Sequence, residues 1–163
     1  MQVGVVSDTH NNIKNISLLI RLFNERKVDF VIHTGDITNA KTLEKFSELN
    51  CDLYGVFGNN DRNEIGLEEI INKNGFKFNN PPFVINKGNK IIAIFHEPEF
   101  IENFLSNNNQ IDIVFHGHTH RYRNEFIDDV LLFNPGESAG MQEGKNAIGI
   151  VNLIDLSTEI IFF

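Results

Sequence analysis

Short apolar runs alternate with longer stripes of helical spacing through the first half of the chain. Gln2 to Val6 is brief and β-branched and gives way to Ser7-Asp8-Thr9-His10, the pattern of a buried strand entering a polar loop. From about Asn12 to Arg26, the residues Ile13, Ile16, Leu19, Ile20 and Phe23 recur at helical steps and make one apolar stripe. Asp29 to His33 repeats the strand pattern and stops at Thr34-Gly35-Asp36. A second amphipathic helix carries Leu43, Phe46 and Leu49. Leu53 to Phe57 reads as a strand ending in Gly58-Asn59-Asn60-Asp61, and Ile65 to Asn74 as a helix. This strand–helix alternation predicts a mostly parallel sheet. The polar loops follow the C-terminal ends of the strands, where open α/β sheets place their ligands.

The second half changes rhythm. Val84–Ile85 and Ile91–His96 flank Asn86-Lys87-Gly88-Asn89, which predicts a hairpin. A short helix is expected around Phe100–Leu105, then a strand over Asp112–Phe115 that ends in His116-Gly117-His118-Thr119-His120. Strands at Arg121–Phe126, Leu131–Phe133, Ala147–Leu153 and Glu159–Phe163 follow at a spacing that suggests antiparallel structure. The terminal Ile160-Ile161-Phe162-Phe163 is far too short for a membrane anchor and reads as a paired strand. No Pro- or Ser-rich linker divides the halves. The expectation is an α/β fold in one domain over residues 1–163, with two packed sheets and helices outside.

Charge narrows the functions. Lys and Arg number 14 and Asp and Glu 22, so 14 − 22 = −8, a poor balance for nonspecific binding to a nucleic-acid backbone. The lone cysteine, Cys51, excludes an internal disulfide framework and a Cys-rich zinc site and fits a reducing compartment. Asp8 interrupts the early apolar run, so no secretory leader is expected, and a cytoplasmic location follows as an expectation.

All six histidines, His10, His33, His96, His116, His118 and His120, lie at or just past predicted strand ends. With Asp8, Asp36 and Asn59 they would line one cleft. Imidazole, carboxylate and amide donors without thiolate suit Mn, Fe, Ni, Co or Zn. Asp8 and His10 are spaced to face one ion from a strand end, and His118 and His120 share that spacing. So many donors exceed one four-coordinate ion and suit a pair of ions sharing a carboxylate. Such a pair is a device for phosphoryl transfer: it lowers the pKa of a shared water and neutralises charge growing on phosphate.

Asp8-Thr9-His10, Gly35-Asp36, Gly58-Asn59-Asn60-Asp61, His96 and Gly117-His118-Thr119-His120 resemble, in order, the motifs of the calcineurin-like metallophosphoesterases. The resemblance spans about Val3 to Gly140 and is nearest the small YfcE-like phosphodiesterase branch. It implies a four-layer α/β/β/α sandwich with two packed mixed β-sheets. By the same resemblance Asp8, His10 and His120 hold one metal, Asn59, His96 and His118 a second, and Asp36 bridges them. Mn²⁺ is the expected ion, with Ni²⁺, Fe²⁺, Co²⁺ or Zn²⁺ as alternatives. The implied activity is phosphodiester hydrolysis by a metal-bound hydroxide. A phosphomonoesterase or protein phosphatase is the alternative within catalysis. Outside it stands a non-catalytic scaffold that binds a protein partner, as the fold does in a retromer subunit.

Two positions depart from the family. Many members carry His where this chain has Asn60, and an amide can hydrogen-bond a phosphate but cannot release a proton. His33 or His116 would then be the candidates to supply it. The rival view is that His33 hydrogen-bonds within the sheet edge and positions Asp36. Glu97 replaces a usual Gly after His96 and is expected to face solvent. Asp61 is expected to orient its neighbours, and Arg62 to be exposed. Asn134-Pro135-Gly136-Glu137 reads as a structural turn. The partner class is a small phosphodiester or nucleotide, with no membrane. A homodimer or homotetramer is left open, since relatives of this size often pair.

Overall fold

A computed structural model describes residues 1–142 and 144–163. In chain order its elements are β1 (Gln2–Val6), α1 (Ile13–Arg26), β2 (Phe30–His33), α2 (Ala40–Lys45), β3 (Asp52–Val56), α3 (Leu67–Asn74), β4 (Lys77–Asn79), β5 (Phe83–Lys87), β6 (Lys90–Ile94), α4 (Ile101–Leu105), β7 (Ile113–Phe115), β8 (Arg123–Ile127), β9 (Val130–Asn134), β10 (Ala147–Asn152) and β11 (Thr158–Phe162). One sheet runs β11-β10-β1-β2-β3-β4 and the other β5-β6-β7-β9-β8.

Side-chain alternation builds the layers. On β1, Val3 and Val5 face the second sheet, where they meet Ile92, Ile94, Phe115 and Phe133. Val6 faces the other way, into a core with Leu19 and Phe23 of α1, Leu43 of α2 and Leu67 of α3. Gly4 shares that face; a Cβ there would sit 2.6 Å from the Phe23 ring, so glycine lets α1 press onto the sheet. A third core joins Ala93, Val114 and Leu132 of the second sheet to Ile101 and Phe104 of α4. Helices therefore cover both outer faces of two packed mixed sheets, the α/β/β/α order the resemblance implied.

The helix ends are local chemistry. The Asn12 side chain accepts from the Asn15 amide at the start of α1, and Lys27 closes the helix in left-handed conformation. The β5–β6 hairpin turns on Gly88 and Asn89, both with positive φ, the geometry of a two-residue primed turn.

One reading needs correction, and two features lie beyond it. The second half is not uniformly antiparallel: β7 pairs parallel to both β6 and β9. Strand spacing alone does not reveal this, because α4 provides a crossover between β6 and β7. Strands β10 and β11 join the first sheet, with β10 antiparallel to β1. Strand β4 went unread, since its three residues place only Phe78 against apolar neighbours. Among the described residues, no helix is long and apolar enough to cross a membrane.

Candidate metal centre

Strands β1, β2 and β3 are mutually parallel, as are β6, β7 and β9, so each sheet sends several C-terminal loops to one edge. Hydrogen bonds clip these loops together across the sandwich. The Asp8 amide donates to the Gly35 carbonyl at 3.1 Å and the His10 amide to that of Asp36 at 2.9 Å. The Gly117 amide donates to the His96 carbonyl at 3.1 Å, and the His118 amide to Asp8 Oδ2 at 3.1 Å.

The backbone is strained where the donors sit. Asp8, His10, Asp36, Thr38, His118 and His120 all have positive φ without being glycine. Such conformations persist where surrounding structure enforces them, and they cluster at functional sites. This revises how the donors converge. Asp8 and His10 are brought together by a left-handed turn beyond the end of β1, not by strand alternation. His118 and His120 share the same spacing yet part company, for the same reason.

One group gathers Asp8, His10 and His120, and another Asp8, Asp36 and His96; within each, ligand atoms lie within 4.8 Å of one another. The His10 and His120 rings meet edge-on with centroids 5.7 Å apart. Asp8 Oδ1 lies 3.3 Å from His120 Nε2. Both Asp8 Oδ1 and His10 Nε2 are buried without an aligned hydrogen-bond partner. Buried polar atoms are rarely left so, and this pair fits a bound cation. Next to them, Asn59 Oδ1 is 3.0 Å from both His96 Nε2 and His118 Nδ1, and the two ring nitrogens are 3.3 Å apart. Asp36 Oδ1 stands 3.4 Å from His96 Nε2. An amide oxygen, two imidazole nitrogens and a carboxylate converging in this way suit a second divalent ion.

Electrostatics point the same way. Burial alone would raise the Asp36 carboxyl, but hydrogen bonds from His96 and Asn60 outweigh it and hold Asp36 well below the usual carboxylate range. Burial opposes charge on His96, and Asp36 nevertheless raises its pKa. The Asp8 carboxylate, 3.3 Å from its Nε2, raises that of His120. The cleft thus favours positive charge.

The loop around Asp36 is held by Asp61. Its buried carboxylate accepts from four backbone amides: Asp36 and Gly58 on Oδ2 at 2.8 Å each, Ile37 and Thr38 on Oδ1 at 2.9 and 2.7 Å. Burial pushes the Asp61 carboxyl up, while these amide donors favour its ionised form. Asn60 turns onto Asp36, donating its backbone amide to Oδ1 at 2.9 Å and its side-chain amide to Oδ2 at 2.7 Å. Gly58 permits this approach: a Cβ there would lie 2.2 Å from Asp36 Oδ1.

His33 is wholly buried at the end of β2. Its Nδ1 accepts from the Gly35 amide at 3.1 Å, so Nε2 carries the proton and meets Thr9 Oγ1 at 3.0 Å. Burial lowers its pKa to about 3 and that of His116 to about 4. Neither ring carries a spare proton near neutral pH. A stability prediction follows. Below the unfolded histidine pKa of 6.5, the unfolded chain takes up protons that the folded chain refuses, so stability rises with pH there. Urea unfolding of chelator-treated protein should show a loss of about 3 kcal/mol from His33 alone between pH 7 and pH 4. Because the raised pKa values of His96 and His120 act in the opposite sense, the comparison is with His33→Gln, and an identical profile in that variant would contradict the buried neutral ring.

Glu97 departs from expectation. Its side chain is only 15% exposed and accepts from Arg62 Nη2 at 2.6 Å, while Arg62 itself is 61% exposed. The guanidinium draws the carboxylate out of solvent and offsets its charge. Asn134 proves structural and close to the site: its side-chain amide donates to the Gly117 carbonyl at 3.1 Å, bracing the loop of His118 and His120. Glu137 is buried and accepts from the Gly140 amide at 2.9 Å. Glu143, in the neighbouring loop, lies outside the described residues.

Fold and family define a phosphoesterase, of a family that implies divalent metal ions. Residues 1–159 match the calcineurin-like phosphoesterase superfamily domain, and the chain belongs to that family. Phosphodiesterase MJ0936 of Methanocaldococcus jannaschii is 34% identical over 155 residues, which cover 93% of each chain. A solved archaeal phosphodiesterase superposes with TM-score 0.90 at 30% identity, covering 100% of both chains. Yfce, a phosphoesterase from E. coli, has TM-score 0.70 at 18% identity and covers 99% of this chain and 98% of its own. Vps29 from Entamoeba histolytica has TM-score 0.70 at 20% identity and covers 100% of this chain and 99% of its own. The last two share the fold alone.

Proposed function

We propose that this phosphoesterase is a phosphodiesterase working with two divalent ions. The observation that carries the reading is the pair of adjoining donor sets, one with Asp8 Oδ1 and His10 Nε2 buried without aligned partners, the other with Asn59, His96 and His118 converged. Asp8, His10 and His120 would hold one ion and Asn59, His96 and His118 the other, with Asp36 shared between them. Such ions, when bound, activate water and neutralise charge on a phosphoryl group. The relative named a phosphodiesterase supports the diester over the monoester. With a net charge of −8, a small diester is a better substrate than a long nucleic acid.

The chain's own residues prepare the site. Asp61 fixes the backbone that carries Asp36, and His33 ties that loop to Thr9 between Asp8 and His10. In this reading His33 positions rather than donates a proton, because its N–H is engaged by Thr9. Asn60 stands where an amide can steady a phosphate oxygen, but it has no proton to release to a leaving group. Rate should therefore fall steeply as leaving-group pKa rises across aryl and alkyl diesters. A flat dependence, with chemistry shown to limit, would refute this role.

The central test is hydrolysis of bis-p-nitrophenyl phosphate by chelator-stripped protein with Mn²⁺ restored. Turnover is expected only after Mn²⁺ or a similar divalent ion is added. Folded protein that stays inert with Mn²⁺, Ni²⁺ and related ions would favour the protein-binding scaffold.

A further inference from the structure

A pocket of about 470 Å³ opens beside the metal-side loops, and none of the residues assigned to the ions lines it. Its walls are aromatic. Phe95 is buried and packs edge-on against Phe104, with ring centroids 5.2 Å apart. Phe100 forms part of the lining while 64% exposed. Asn103, Asn107 and Asn108 add polarity. Asn107 and Asn108 donate side-chain N–H groups to the Asn103 and Phe104 carbonyls at 2.8 Å each. Both residues belong to the lining, and each side-chain oxygen is an acceptor.

The Arg62–Glu97 ion pair belongs to the pocket's lining, and each of its residues is bonded to a residue of the candidate metal centre or its support. Glu97 follows His96 directly, about 3.8 Å along the chain between Cα atoms. Arg62 follows Asp61, the residue that fixes the Asp36 loop.

We propose that this pocket is the subsite for a planar nitrogen heterocycle carried by the diester, so that the substrate class is nucleotide-derived. The proposal rests on the phosphodiesterase reading above. Phenylalanine rings take such a ring by stacking, and the amide side chains of Asn107 and Asn108 would meet polar groups on its edge. Arg62 presents its remaining guanidinium N–H groups where the sugar–phosphate portion passes toward the ions. The volume lies in the range of small-molecule sites. A chain of net charge −8 gains from this arrangement, because an uncharged ring contributes binding that does not depend on attracting an anion.

The test compares AMP with ribose 5-phosphate, which is AMP without its base, by calorimetry on Mn²⁺-treated protein. AMP should bind at least about tenfold more tightly, the scale of one base stacked on an aromatic side chain. In Phe100→Ala and in Phe104→Ala that preference should collapse toward unity. Phe100 is the safer variant for folding because its ring is largely exposed, and a melting curve verifies both. Equal affinity for the two ligands in the unaltered protein overturns the proposal, as does a preference that survives both substitutions. Two parallel measurements separate this idea from the parent reading. One is hydrolysis of bis-p-nitrophenyl phosphate. The other is adenosine binding to chelator-treated protein, read by NMR shifts of the phenylalanine rings. Adenosine at Phe100 and Phe104 without hydrolysis keeps the ring subsite and removes the diesterase. Hydrolysis without adenosine binding keeps the diesterase and overturns the subsite.

Discussion

Asp36→Asn should lower divalent-ion-dependent hydrolysis of bis-p-nitrophenyl phosphate by at least about a hundredfold, since even the partners of metal ligands matter by ten- to a hundredfold. The substitution keeps the side chain's size and removes its charge. One carboxylate here faces His96 Nε2 at 3.4 Å and accepts twice from Asn60. An amide can present one oxygen to those donors, while its NH₂ would confront the other. The folded state should survive, because the Asp36 backbone amide stays anchored on Asp61 at 2.8 Å. Calorimetric titration with Mn²⁺ should show weakened binding in parallel. Wild-type turnover by this variant would remove Asp36 from the proposed centre.

Asp61→Asn should act through the fold, costing about 3 kcal/mol or more. The arithmetic rests on oxygen count. Each carboxylate oxygen of Asp61 receives two backbone amides, Asp36 and Gly58 on one and Ile37 and Thr38 on the other. An asparagine retains one oxygen, so one pair of buried N–H groups would face an NH₂. Each unsatisfied buried donor costs about 1–3 kcal/mol. Urea unfolding should report the loss, and activity should fall with it because the loop under Asp36 slackens. A variant as stable as the parent would mean that water or a shifted loop satisfies those amides.

These two carboxylates also mark how far the sequence could be read. Asp36 stood out because it follows a strand and keeps company with histidines. The strand–helix alternation around it was equally plain, since each buried strand needs its own apolar run and each helix its stripe. Asp61 was legible as a residue that orients its neighbours, but nothing in the spacing announces four amides converging on its side chain. The division of His118 from His120 was hidden from spacing as well. It depends on left-handed backbone at both positions, which residues other than glycine adopt only when tertiary contacts impose it. Glu97 misled for a related reason: its partner, Arg62, lies 35 residues away in sequence. Parallel pairing of β7 with β6 and β9 is likewise a long-range choice.

The seven proposed ion ligands are split between the sheets. Asp8, His10, Asp36 and Asn59 follow strands of the first, while His96, His118 and His120 follow strands of the second. During synthesis the first four emerge well before the last three. A nascent chain ending before His96 holds no complete donor set, however well its early strands have paired. Tight ion binding would therefore report that both halves of the sandwich have closed. Ions that bind only the closed form deepen its stability by mass action, so growing cells short of such ions would carry more of this protein half-assembled.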